Sequence, residues 1–239
     1  MAYIGKSPTA APLTSSDVTD GIITNAKLAQ DIISADTALG AEPADTDELL
    51  VSDAGVLKRM DYSHIKSSPG LVKLITTTLG SNTATIAFDS TYITSTYLNY
   101  LVIFNLKPET DNQGLSLRIS VGGTFRDGGT DYGQAGYQDG GVDENDNDRD
   151  NIELTNGCGV GNASGENVSG HLFLNGISSA SWRTKISFNI NRDTTDGLHG
   201  LFMGGASVNV TEANDGIKFY FDNDDILSGS QATLYGINQ

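Results

Sequence analysis

The sequence predicts a mainly β protein built around an antiparallel β-sandwich, and three observations support this fold class. Most segments after residue 70 alternate apolar and polar side chains, as half-buried strands do. The clearest segment, 182–190, is expected to place Trp182, Thr184, Ile186, Phe188 and Ile190 on a packed face and Arg183, Lys185, Ser187 and Asn189 on a wet face. One wet face and one packed face are typical of an antiparallel sheet. The 239 residues also include 28 glycines and only 5 prolines, which suits a turn-rich β protein.

The strand candidates follow one another through this C-terminal part of the chain. We expect them near 71–78, 83–88, 97–106, 115–121, 170–174, 182–190, 198–210, 216–222 and 231–237. Eight or nine short strands separated by turn residues predict a jelly-roll-like sandwich, with a more open barrel as the alternative. Residues 122–169 are rich in glycine and aspartate and predict a long loop, which in a compact domain is usually functional or mobile.

Residues 1–67 differ from the rest and predict an extended, partly helical segment. A ten-residue unit repeats, because 15–24 (SSDVTDGIIT) aligns with 25–34 (NAKLAQDIIS). Two short repeats cannot enclose a core, so their apolar side chains need partner surface. The alternative is a single amphipathic helix near 25–33 that packs on its own domain. Two β-prone runs flank Asp53, Ala54 and Gly55 and predict a hairpin, which is marginal in isolation. The stretch 67–70 (SSPG) then predicts a linker, dividing the chain into residues 1–67 and 70–239.

The charge of the chain limits its partners. The net charge is −16, from 14 basic and 30 acidic residues, which disfavours nucleic acid and anionic membranes. The N-terminus lacks the apolar region of a signal peptide, and no apolar stretch approaches the roughly 20 residues of a membrane helix. We therefore expect synthesis in the cytoplasm and no membrane insertion. Cys158 is the one cysteine, so it has no intrachain disulfide partner and is expected to serve only as a small residue.

The acidic run 139–150 (DGGVDENDNDRD) is the one candidate metal site. Asp143, Asp146, Asp148 and Asp150 could supply hard oxygen ligands to Ca²⁺, but their spacing departs from that of a calcium-binding loop. A solvated acidic loop is the favoured interpretation, and no metal or other cofactor is expected. Residues 222–225 are likewise expected to form a turn between strands.

No pattern of residues predicts catalysis. Paired carboxylates could cleave glycosidic bonds, but the acidic residues cluster in predicted loops rather than on strands that would form a cleft. Gly-x-Ser-x-Gly is absent, and the three histidines are isolated from one another in the sequence. We therefore expect a protein that is not an enzyme. Tyrosines predicted to be exposed offer a binding surface instead, because aromatic rings stack on sugars. The competing interpretation is that they lie at a subunit interface. These tyrosines are Tyr92, Tyr97, Tyr132, Tyr137 and Tyr220.

Several motifs resemble those of fibre proteins from tailed bacteriophages, notably phages of marine hosts. In the N-terminal part they are 2–8 (AYIGKSP), 20–29 (DGIITNAKLA), 46–55 (TDELLVSDAG) and 58–63 (KRMDYS). In the C-terminal part they are 100–111, which includes NLKPETD, and 228–237 (SGSQATLYGI). The resemblance implies a homotrimer, an N-terminal anchor in the virion and a distal β-rich domain that meets the host surface. It brings no catalytic motif, and the segment corresponding to the shaft is very short.

These observations predict a short trimeric tail fibre. Residues 1–67 would bind sister chains and a tail or adaptor protein, and residues 70–239 would form the head. The alternatives are a capsid-attached head fibre or decoration protein and, third, a polysaccharide-degrading tailspike. For contact with a host-surface glycan we expect Tyr132, Tyr137 and Asp139. For trimerisation and anchoring we expect Val18, Ile22, Ile23, Leu28, Ile32, Leu50 and Val56.

Overall fold

The computed structural model describes residues 19, 37–66, 70–138 and 142–238, and it divides the chain into two compact units, Met1–Ser67 and Ser68–Gln239. Every strand pair is antiparallel, which confirms the predicted mainly β, antiparallel fold class. The predicted N-terminal repeat and its helix lie outside the described residues. Within the described part of the chain, no helix is long and apolar enough to cross a membrane.

The described part of the first unit is a β-hairpin followed by a short 3-10 turn. Strands β1 (Glu48–Asp53) and β2 (Val56–Asp61) pair along their whole length, which confirms the predicted hairpin. Ala54 and Gly55 form the turn with φ of 49° and 85°, the left-handed conformation that two-residue hairpin turns favour. The turn Tyr62–His64 begins where the Tyr62 N–H donates to the carbonyl of Asp47 at 2.7 Å.

The second unit contains two antiparallel sheets. Its strands are β3 (Leu71–Thr78), β4 (Ile86–Phe88), β5 (Asn99–Leu106), β6 (Leu115–Val121), β7 (Thr124–Phe125), β8 (Tyr132–Gln138), β9 (Val142–Arg149), β10 (Ile152–Glu153), β11 (Val168–Asn175), β12 (Lys185–Asp193), β13 (His199–Val208), β14 (Gly216–Phe221) and β15 (Gln231–Ile237). The eight-stranded sheet has the order β3-β15-β5-β11-β12-β13-β8-β9. The five-stranded sheet has the order β10-β6-β14-β4, with β7 paired to β6.

The two sheets share one hydrophobic core, an arrangement consistent with the predicted β-sandwich. Phe104 of the eight-stranded sheet and Phe219 of the five-stranded sheet place their ring centroids 5.0 Å apart. The alternation predicted for Ile186, Phe188 and Ile190 of β12 is confirmed, and β5 likewise buries its inward side chains. The buried set of these two strands is Tyr100, Val102, Phe104, Leu106, Ile186, Phe188 and Ile190.

The prediction that 122–169 forms one long loop is wrong, because four strands lie within it. Strands β8 and β9 extend the eight-stranded sheet to its edge, and β7 and β10 extend the other sheet. The inward positions of β8 include Gly136, which lies under the ring of Phe202: a Cβ at Gly136 would come 2.6 Å from Cε2 of Phe202. A strand that packs glycine against a neighbour's aromatic ring shows no apolar alternation, so its sequence resembles a loop.

The prediction that Trp182 belongs to the packed face of a strand is also wrong. Strand β12 begins at Lys185, and Trp182 lies in the preceding loop with 62% of its surface exposed. Thr184, two residues later, is fully buried as predicted. The alternation therefore holds through β12 and the residue before it, and it fails at Trp182.

Candidate functional site

The outer face of the eight-stranded sheet carries a row of apolar and polar side chains across five strands. Register places them side by side from β5 to β8, in the order Ile103, His171, Asn189, Met203 and Tyr137. Ile103, Met203 and Tyr137 are 48%, 41% and 50% exposed. His171 and Asn189 separate Ile103 from the adjacent pair Met203 and Tyr137, so the exposed apolar side chains lie at the two ends of the row.

A depression of about 690 Å³ lies at one end of this face, where β5 and β12 begin and β11 ends. Its volume falls within the range of roughly 300–1,000 Å³ that is usual for ligand sites. We call it the Trp182 depression. It is lined by Leu98, Asn99, Asn175, Gly176, Ser181, Trp182, Arg183 and Lys185.

Hydrogen bonds shape the loop that presents Trp182. Gly176 starts the loop with a φ of 67°, a conformation that favours glycine, and its N–H donates to Oδ1 of Asn99 at 3.0 Å. The Ser179 hydroxyl oxygen accepts the N–H groups of Ser181 and Trp182 at 3.1 and 3.2 Å. Two backbone N–H groups held by one side chain fix the path of the chain next to the indole.

Buried side chains anchor both ends of the same loop. Ile177 is fully buried, and its carbonyl accepts the N–H of Asn214 at 2.8 Å. The Asn214 amide donates to the hydroxyl of Thr184 at 2.8 Å, and the Thr184 carbonyl accepts the N–H of Val208 at 3.1 Å. Trp182 thus stands on a frame that is tied to the core on each side, although its own ring faces solvent.

The Trp182 depression has a positively charged lining, although the chain as a whole is strongly negative. Arg183 and Lys185 both line it, and within the described part of the chain neither forms an ion pair. No lining residue is acidic, although the chain carries a net charge of −16. Asn99 and Asn175 add two amide groups to the wall. An exposed indole, two amides and two cations can stack on a ring, bond its hydroxyls and attract a negative charge.

A second cluster of cations and rings covers the outer face of the five-stranded sheet. The ammonium of Lys218 lies 4.6 Å from the ring centroid of Phe125 and 5.6 Å from that of Tyr220. Arg118 lies 5.3 Å from the Tyr220 ring and pairs with Asp150 at 2.8 Å. Burial, followed by the charge of Arg118, lowers the pKa of Lys218. These cations already have partners on the protein, which distinguishes them from those of the Trp182 depression.

The structure describes two of the three residues predicted to contact a glycan, and their environments differ. Tyr132 is fully buried, so the prediction that its ring is exposed is wrong: its hydroxyl accepts the N–H of Ile119 at 2.9 Å in the core. Burial raises the pKa of Tyr132 to about 12. Tyr137 is half exposed, five residues further along β8. Asp139 lies outside the described residues.

The residues predicted to form the anchor are only partly described. Leu50 and Val56 are 73% and 60% exposed on the hairpin. Outside the described residues lie Val18, Ile22, Ile23, Leu28 and Ile32. Among the described residues, no group of three or more His, Cys, Asp or Glu side chains is arranged to hold a metal ion.

Sequence reasoning did not identify the Trp182 depression as a site, although one signal was present. The only tryptophan of the chain stands next to Arg183 and close to Lys185 in a strongly acidic sequence. A search for local reversals of charge beside aromatic residues would have found it. Comparison with protein-family models, curated proteins and solved structures gives no significant match to this chain.

Proposed function

We propose that this chain is a structural virion protein, a short trimeric tail fibre of a tailed bacteriophage. In this proposal its N-terminal segment attaches to the tail and its β-sandwich head contacts the host surface, with binding rather than catalysis as its role. A capsid-attached head fibre or decoration protein is the second candidate, and it shares the same architecture. The sequence motifs described above support a phage fibre. The observation that carries the proposal is the exposure of apolar side chains on both faces of the N-terminal hairpin.

The hairpin exposes apolar side chains on both of its faces. Register and strand alternation place Leu50 and Leu57 on one face and Leu49 and Val56 on the other. Leu50, Leu57 and Val56 are 73%, 68% and 60% exposed. Burying one such side chain is worth about 1.5–3 kcal/mol, and an isolated hairpin is marginal in water. Apolar groups on two opposite faces favour insertion between other chains, as interlocked subunits of a trimer would provide.

The second unit supports a presenting role. Strands distant in sequence alternate in each sheet, with β15 between β3 and β5 and β14 between β6 and β4, which supports a jelly-roll-like head. Its outer face offers exposed Ile103, Met203 and Tyr137 to a partner. The residues that line the Trp182 depression include no Asp or Glu, so this depression lacks the pair of carboxylates that glycoside hydrolysis uses. Binding is therefore favoured over the third candidate, a polysaccharide-degrading tailspike.

Sedimentation of the full chain tests the assembly. We expect a trimer, about three times the 25.2 kDa chain mass, at micromolar concentration. The double variant Leu50→Ser/Val56→Ser should shift the protein to lower mass and should not incorporate into particles. Ser52→Ala, an exposed polar position of the same hairpin, serves as the matched control and should leave the trimer intact. A wild-type chain that stays monomeric would contradict the proposal.

The site of attachment requires the whole particle. Cryo-electron microscopy of intact virions separates the first two candidates, because a tail fibre would appear on the tail and a head fibre on the capsid. Density for this chain on the capsid alone would replace the tail-fibre proposal with the head-fibre proposal.

A further inference from the structure

We propose that the Trp182 depression binds an acidic saccharide, a pyranose ring that carries a carboxylate. The inference deepens the proposed function and rests on it, since it names the class of host-surface glycan that the head would contact. It is carried by three features of the described residues: an exposed indole on a hydrogen-bonded loop, two cations without an ion-pair partner, and a lining without acidic residues.

The indole supplies the stacking surface. Trp182 is 62% exposed, yet its backbone N–H is bonded to the Ser179 hydroxyl and its loop is anchored by buried Ile177 and Thr184. A loop whose backbone is already ordered loses little conformational freedom when a ligand binds. The apolar face of a pyranose can lie on such a ring, while the wall amides of Asn99 and Asn175 reach the hydroxyls at its edge.

The two cations select the charge of the ligand. Lys185 is the first residue of β12, and Arg183 lies two residues before it. Both side chains line the depression together with Trp182. The guanidinium of arginine matches a carboxylate in two parallel hydrogen bonds, and a nearby ammonium adds to the attraction. Neither cation has an ion-pair partner in the described part of the chain, so neither must break a bond on the protein before it binds the ligand.

The remaining charge of the protein limits the ligand to a small or sparsely charged anion. With a net charge of −16, the chain repels an extended polyanion such as nucleic acid. A saccharide that places one carboxylate in the depression and neutral hydroxyls beside it escapes most of that repulsion. Exposed charges interact over about one Debye length, about 8 Å at physiological salt, so the local pair of cations dominates at the site.

The protein carries its own reporter for this site, because Trp182 is the only tryptophan. We would titrate the full chain with an acidic hexamer, a galactose hexasaccharide in which one terminal sugar is galacturonic acid, and follow tryptophan fluorescence, using the all-galactose hexasaccharide as the neutral probe. We expect a saturable change with the acidic hexamer and at least about tenfold weaker binding of the neutral one, a difference of one factor of ten in Kd. Binding of the acidic hexamer should weaken at about 1 M salt, where the Debye length falls to about 3 Å. Equal binding of both hexamers, or binding of neither, would overturn the proposal.

Variants measured by calorimetry separate the two contributions. Trp182→Ala should weaken binding of the acidic hexamer about tenfold or more, the loss expected for an aromatic stacking surface. Arg183→Gln/Lys185→Gln should abolish the preference for the acidic hexamer and leave weak binding of both. Lys73→Gln on edge strand β3 removes an exposed cation of the same sheet and should change nothing. If Trp182→Ala retains the wild-type circular dichroism and full affinity, the site is elsewhere.

A subunit interface is the competing use of the same depression. Quenching of the free protein by acrylamide distinguishes the two: an open site leaves Trp182 accessible, whereas an interface shields it until the oligomer dissociates. Shielding in the intact trimer would overturn the saccharide proposal and leave the fibre proposal in place. A monomeric protein that still prefers the acidic hexamer would overturn the trimeric-fibre proposal and leave the saccharide proposal in place. The two proposals therefore fail separately.

Discussion

Replacing Tyr132 with phenylalanine removes a single oxygen from the core and tests how this sandwich satisfies a buried backbone group. The Tyr132 hydroxyl accepts the N–H of Ile119 at 2.9 Å and lies 3.3 Å from the carbonyl of Arg126. Ile119 is fully buried on β6. The Tyr132 hydroxyl accepts its N–H in place of the backbone carbonyl that a neighbouring strand would provide. Tyr132→Phe leaves the ring in place and the Ile119 N–H without its partner.

The expected cost follows from that orphaned donor. A buried polar group left unsatisfied costs about 1–3 kcal/mol, which for a domain of this size lowers Tm by roughly 2–12 °C. Tyr132→Ala should cost about 3–5 kcal/mol or more, because it also opens a cavity in the core. Urea unfolding at a fixed protein concentration, followed by circular dichroism, measures both values and holds any effect of assembly constant.

Tyr137 provides the matched control on the same strand. Its ring is 50% exposed, so Tyr137→Phe should change the free energy of unfolding by less than about 0.5 kcal/mol. Unfolding of Tyr132→Phe and Tyr137→Phe at the same urea concentration would contradict this prediction. That result would mean that water reaches the Ile119 N–H and that burial of Tyr132 is incomplete.

Three further predictions concern the same core. Arg192 is 4% exposed, and its Nε and Nη1 lack hydrogen-bond partners in the described part of the chain, so Arg192→Met should stabilise the protein by roughly 1 kcal/mol or more in urea unfolding; destabilisation would reveal an ionic partner. Gly136→Ala would place its Cβ 2.6 Å from Phe202 and should cost about 1–3 kcal/mol, whereas Gly80→Ala, which meets nothing within 4 Å, should be close to neutral in Tm. Burial raises the pKa of Tyr132 to about 12, above the ~10 of an unfolded tyrosine, so the unfolded state loses this proton at lower pH than the folded state. The free energy of unfolding should therefore fall as pH rises from about 10 through about 12. Urea titrations across this range should show a smaller fall for Tyr132→Phe.

The sequence predicted the strands whose two faces differ in polarity. Strand β12 begins within three residues of the expected start, and its Ile186, Phe188 and Ile190 face the core as alternation requires. The hairpin of β1 and β2 was equally accessible, because a turn with Ala54 and Gly55 is a local signal. In both cases the signal is local: alternation of apolar and polar residues within the strand, or the residue types of the turn.

Strands β8 and β9 could not be predicted in this way. Gly136 faces inward on β8, and the ring of Phe202 from β13 fills the space where its side chain would lie. The apolar group that packs at this position therefore comes from another strand. Tyr132 lies between Asp131 and Gly133 in the sequence, which resembles a loop, yet the N–H of Ile119 gives its hydroxyl a buried partner. Burial of a residue with polar neighbours depends on contacts that the local sequence does not contain.

The sequence by itself determined the fold class, the hairpin and the acidic character of this protein, since alternation, turn residues and charge are local or additive properties. The tertiary structure alone decided which tyrosines are buried and brought Asn99, Asn175 and Lys185 into register beside Trp182. Those three residues lie on three different strands, and only the pairing of the strands places them side by side. A binding surface built across strands is therefore a property of register, which a single sequence leaves open until distant segments meet.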